Sequence, residues 1–251
     1  MIHPKAFRAV APLLMLYVFL SPLTFSRQTK NYRTIATANY QLLFEKRISA
    51  EDARLAGKAL EGEYAIYHKK FGLSYSQKMK VFILTSSQRL RTESQSLVYD
   101  DAVYTNGRIY ISLPQVKSQS MQGGIPRVVA HSLLDRIQTC PPWLMEIYAI
   151  HAGGDYRRFG KPVSSMTSSF DDLAEEYSRG AGGNSAKQVY ALLAATAKFF
   201  VEHYSEQKLE SVFGQIKRDS SFEQAFETCF GEKIADIERA WSEFVRSQVR
   251  G

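Results

Sequence analysis

Two neighbouring stretches decide how this chain folds: Arg127-Val-Val-Ala-His131-Ser-Leu-Leu-Asp135-Arg136 and Pro141-Pro-Trp-Leu-Met-Glu146-Ile-Tyr-Ala149. Both are apolar, with a few polar residues at helical spacing. His131 and Asp135 lie four apart and so share one face of a helix. Pro141 and Pro142 suit the opening of a second helix, where the first amides need no intrahelical partner. Gly153-Gly154 suits its end. The spacing predicts helices over Ile125 to Gln138 and Trp143 to about Ala152.

Upstream the periodicity changes from helical to extended. Tyr40, Leu42 and Phe44 alternate within Ala38 to Lys46, which predicts a strand. Ser49 followed by Glu51 and Asp52 predicts a helix start, with acids near the positive end of the dipole. That helix runs through Ala53, Leu60 and Tyr67 and stops at Gly72. Val81-Phe-Ile-Leu84, inside Lys80 to Thr85, predicts a short buried strand. Asn106-Gly107 between Ala102–Thr105 and Arg108–Ser112 predicts a hairpin, because a type I′ turn needs positive φ at both central residues.

Downstream, helices are predicted over Phe170 to Tyr177, Lys187 to Tyr204 and Lys208 to Lys217. Ser178 to Ser185, with three glycines, reads as a flexible loop. Ser220 and Glu223 fit a capping box for a helix ending near Gly231. Ile237, Trp241 and Val245 mark one face of a last helix. The expected class is therefore α+β: a small N-terminal mixed sheet with one helix (38–115), then a mainly helical half (124–251). Residues 38–251 read as one domain.

The 251 residues suffice for one good-sized core. The formal charge of +7 is interspersed with acids, as in Lys46-Arg47 against Glu51-Asp52. No clustered basic arm, zinc-finger spacing or recognition helix stands out, so nucleic acid is not an expected partner. At the N-terminus, Lys5 and Arg8 precede an apolar run from Ala9 to Leu20, then Ser21, Pro22 and Thr24. This describes a signal peptide or uncleaved signal anchor over 1–27. It implies an exported protein (periplasmic, extracellular or membrane-anchored) with membrane contact through that segment. Cys140 and Cys229 are the two cysteines. Export leaves open either a disulfide or two separate thiols.

In outline, the two opening stretches resemble the gluzincin, peptidase MA-like branch of the zincin-like metallopeptidases. In that family one helix carries H-E-x-x-H, and the next often reads P-x-W-L-x-E-G-x-A and supplies a glutamate ligand. Pro141, Trp143, Leu144, Glu146 and Ala149 match the second pattern, with Ile147 where glycine is usual. The strand Ile109-Tyr-Ile-Ser112 is similar to the one beside substrate. Tyr190-Ala-Leu-Leu, Phe222 to Gly231 and Ile237 to Phe244 resemble the family's helical tail. The resemblance covers most of the chain from about residue 38. It implies a bacterial-type protein, a zincin-like fold, and a metal site descended to His131, Asp135 and Glu146. Tyr190 would sit where relatives place a tyrosine that assists the transition state.

The motif departs from the family at two places. Ser132 stands at the general-base position, and a hydroxyl is no useful base near neutral pH without activation. Asp135 replaces the second histidine, leaving one nitrogen and two carboxylates, a weaker set for zinc. The expectation is an exported pseudopeptidase that binds peptide or protein in the remnant cleft, with zinc doubtful. One alternative is an active zinc metallopeptidase with His131, Asp135 and Glu146 as atypical ligands. Another is a structural cell-envelope assembly protein. Without metal, His131 and Asp135 would be a polar i,i+4 pair, and Glu146 would need a cation such as Arg127 or Arg136.

Overall fold

A computed structural model describes residues 31–95, 101–117, 121–154, 156–162, 169–180 and 186–250. The expected signal segment, residues 1–27, lies outside them, as does most of the glycine-rich stretch before 186. No helix among the described residues is long and apolar enough to cross a membrane.

The strand signals produce a five-stranded mixed sheet of β1 (Tyr32–Ala36), β2 (Tyr40–Glu45), β3 (Met79–Leu84), β4 (Ala102–Thr105) and β5 (Arg108–Ser112), ordered β1-β2-β3-β5-β4. β2, β3 and β5 run parallel, while β1 and β4 are antiparallel at the two edges. Alternation decides which face is covered. Tyr40, Leu42, Val81, Ile83, Ile109 and Ile111 are buried in the main core. Asn106 and Gly107 adopt φ of 50° and 68°, as the hairpin turn requires.

Helix α1 (Ala50–Phe71) begins where Ser49 accepts the amide of Asp52 and ends at left-handed Gly72. The expected single helix of this lobe is joined by α2 (Ser87–Ser94) and the short α3 (Leu113–Lys117). Neither carries the long apolar periodicity that reveals a helix in sequence. β1 was also illegible, because its residues are largely exposed and lack alternation.

The C-terminal half is helical: α4 (Met121–Leu134), α5 (Pro142–Gly153), α6 (Phe170–Gly180), α7 (Ala186–His203), α8 (Glu206–Ile216), α9 (Phe222–Phe230) and α10 (Ile234–Arg250). The chain is thus α+β, with sheet and helices sharing one continuous apolar core. Three boundaries differ from expectation. α6 extends three residues beyond Tyr177, through part of the expected loop. The capping box of α9 is Ser221 with Gln224, one residue beyond the expected pair. α4 starts before Gly123-Gly124 and ends at Leu134 rather than Gln138. A Cβ on Gly153 would lie 2.8 Å from the carbonyl oxygen of Gly123. These glycines therefore serve close approach between α4 and α5.

Cys140 is buried and Cys229 half-buried, and both are free thiols. Burial pushes the Cys140 thiol up to about 12.

Candidate functional site

Arg127 and His131 are one turn apart on α4, and Glu146 faces them from α5. The Arg127 Nη1 donates to Glu146 Oε1 at 3.1 Å, while His131 Nδ1 lies 3.0 Å from Oε2. Both carboxylate oxygens are thereby engaged. Burial alone would raise the Glu146 pKa, but His131 and then Arg127 outweigh it and hold the carboxyl below its ordinary value. The other Arg127 terminal nitrogen, Nη2, donates to the Ala102 carbonyl at 2.9 Å, tying α4 to β4. Arg127 also lies 6.0 Å from the centroid of Phe159.

A cavity of about 20 Å³ opens beside this cluster, lined by Val103, Tyr104, Arg127, His131, Glu146 and Tyr190 among others. That is room for about one water. Tyr190 reaches it from α7 and stacks on Phe159 with centroids 5.7 Å apart. Tyr177 of α6 also feels the Glu146 charge. Burial first, then that charge, raise its phenol above the usual range.

His131, Glu146 and Tyr190 therefore come together, while Asp135 and Ser132 take other partners. Asp135 follows the last α-helical residue, where the chain tightens into successive short turns. Its exposed carboxylate accepts the Tyr104 hydroxyl at 2.6 Å. Neither His131 nor Arg136 is its hydrogen-bond partner here; Arg136 instead lies 5.7 Å from the Tyr75 ring centroid. Ser132 is wholly buried. Its hydroxyl donates to the Val129 carbonyl at 2.9 Å and shares a 2.7 Å bond with the Tyr75 hydroxyl. That phenol is raised by burial and offers no base for Ser132 at neutral pH.

The donor set tests poorly against zinc. Glu146 already holds a guanidinium, and a second cation beside it would be repelled. Asp135 is turned to Tyr104. Among the described residues, no group of three or more His, Cys, Asp or Glu side chains is placed to hold a metal ion. Tyr104 was missed in sequence, although its position on the hairpin strand next to the helix was the available signal. It packs its ring 5.2 Å from that of His131.

His151 of α5 faces a second cluster. It sits between Tyr148 and Tyr156, with Nε2 3.5 Å from Glu206. Glu206 and Glu210 of α8 both accept Lys70 of α1, and Tyr148 donates to Glu210 at 2.9 Å. This network joins α1, α5 and α8 on the other side of α5 from the cavity.

No protein-family model matches the chain, and no curated protein sequence matches it.

Proposed function

We propose that this chain is a zincin-like pseudopeptidase. The guanidinium of Arg127 stands in for the metal, and the edge of β4 beside α4 takes an extended peptide or protein segment without cleaving it. One observation carries the reading: a buried arginine holds the glutamate that would complete a zinc site. A guanidinium supplies positive charge to Glu146 but cannot acidify water as zinc does. The order of elements is consistent with it, since an edge hairpin precedes the helix of His131 and the helix of Glu146 follows.

The edge strand β4 is paired on one side only among the described residues. A ligand strand would add there, next to Tyr104, because Arg127 already occupies the Ala102 carbonyl. Export and membrane contact rest on residues 1–27 and belong to the same proposal.

The test combines metal analysis of the purified protein with digestion and binding assays on casein and immobilised peptides. The expected result is binding without cleavage and no stoichiometric zinc. Cleavage abolished by a chelator, with one zinc per chain, would overturn the reading in favour of an active metallopeptidase. Absence of any peptide binding would overturn the role of the β4 edge and leave a structural one.

A further inference from the structure

At the end of the sheet where β3 and β5 begin, a separate pocket of about 390 Å³ is open to solvent. Its lining includes Gln41, Gln77, Lys78, Lys80, Arg108 and Arg136. Four cations thus meet in one concavity, and no carboxylate is among its described lining residues.

We infer that this pocket binds a small ligand bearing phosphate groups. The sheet register supports a built arrangement. Gln41, Lys80 and Arg108 are direct partners across β2, β3 and β5, so they form one row. Adjacent strands are about 4.8 Å apart, so neighbouring side chains of the row can reach one phosphate group together. Lys78 and Arg136 approach the pocket from outside the row and are anchored locally. Lys78 donates to the Thr37 carbonyl at 2.6 Å, and Arg136 lies over Tyr75. Arg108 lies 6.0 Å from the centroid of the Phe82 ring, which aligns its stem along the sheet. The two glutamines add neutral donors.

The volume falls in the range of small-molecule sites. Charge confined to one pocket suits a compact phosphorylated group. A polynucleotide would need a continuous basic stripe. Phosphate could arrive on a soluble molecule or on a lipid headgroup, and the chemistry of recognition is the same. The pocket's charge does not depend on whether the β4 edge binds peptide.

The experiment uses the intact chain with inorganic pyrophosphate in titration calorimetry at low ionic strength. A second arm uses co-sedimentation with phosphatidylcholine vesicles, with and without phosphatidic acid. The comparison proteins are Lys80→Gln/Arg108→Gln and a charge-matched control, Lys233→Gln/Arg246→Gln, outside the pocket. Circular dichroism confirms that each variant is folded. The expected result is binding that weakens about tenfold in the pocket variant, is kept in the control, and falls as salt is raised. Selective loss in the pyrophosphate arm assigns a soluble ligand, and selective loss confined to the vesicle arm assigns a lipid headgroup. Absence of binding in both arms, or equal loss in the control, would overturn the inference.

Discussion

The Arg127 guanidinium and the Glu146 carboxylate meet 3.1 Å apart between α4 and α5, with side chains only 8% and 5% exposed. A charge pair this deeply buried is a liability unless both partners are present, because desolvation is offset only by the pair itself.

Glu146→Gln should therefore destabilise the protein by about 3–5 kcal/mol, the range for breaking a buried pair by removing one partner. Urea unfolding would measure it. Replacing both residues, as Arg127→Met/Glu146→Leu, should cost less than Glu146→Gln alone. A double variant no more stable than Glu146→Gln would contradict the pairing.

The same carboxylate predicts an acid limb. Its folded pKa is depressed, so its contribution is fully present above the unfolded carboxyl value of about 4.3. The contribution disappears as pH falls through the lower folded value. Tm measured against pH should decline below about pH 4, more steeply in the wild-type protein than in Glu146→Gln. Parallel acid limbs would show that Glu146 is not depressed.

The proposed stand-in of Arg127 for a metal predicts an ordered rescue. Asp135→His alone should not gain zinc, because the guanidinium still holds Glu146. Asp135→His with Arg127→Leu removes both the guanidinium and the carboxylate that Tyr104 holds, and should take up about one zinc per chain once the new imidazole joins His131 and Glu146. Metal analysis after dialysis reads the outcome. Zinc uptake by the single variant would show that Arg127 is not the block.

Close approach of α4 and α5 should depend on Gly153, where a Cβ would meet the Gly123 carbonyl at 2.8 Å and the Arg127 Cβ at 3.4 Å. The first neighbour is backbone and cannot rotate away. Gly153→Ala should cost about 1–3 kcal/mol, typical of overpacking, and lower Tm accordingly. An unchanged Tm would mean that the helices separate freely.

The two thiols should differ in reactivity. Burial raises both, and Cys140 reaches about 12, while Arg218 and Lys208 partly counter the rise at Cys229. A thiolate-selective reagent should label Cys229 first in the native protein, and Cys229→Ser should remove that fast phase. Equal rates would contradict the difference in burial.

Much of the architecture could be read locally. Ser49 and Gly72 bound α1 by capping chemistry, Asn106-Gly107 makes the hairpin through its positive φ angles, and Pro142 opens α5. These signals lie within a few residues of the element they define. Spacing likewise puts Arg127 and His131 one turn apart on a single helix. What spacing could not settle is which cation Glu146 meets or where Asp135 points. Those depend on how closely Gly123 lets α5 approach and on Tyr104 arriving from a strand some thirty residues earlier. The pocket charge was equally hidden, because Lys80 and Arg108 become neighbours only through the parallel pairing of β3 with β5. Local chemistry chooses the elements. Long-range packing chooses the partners of buried charges, since desolvation makes a charge's stability depend on whatever the fold places beside it.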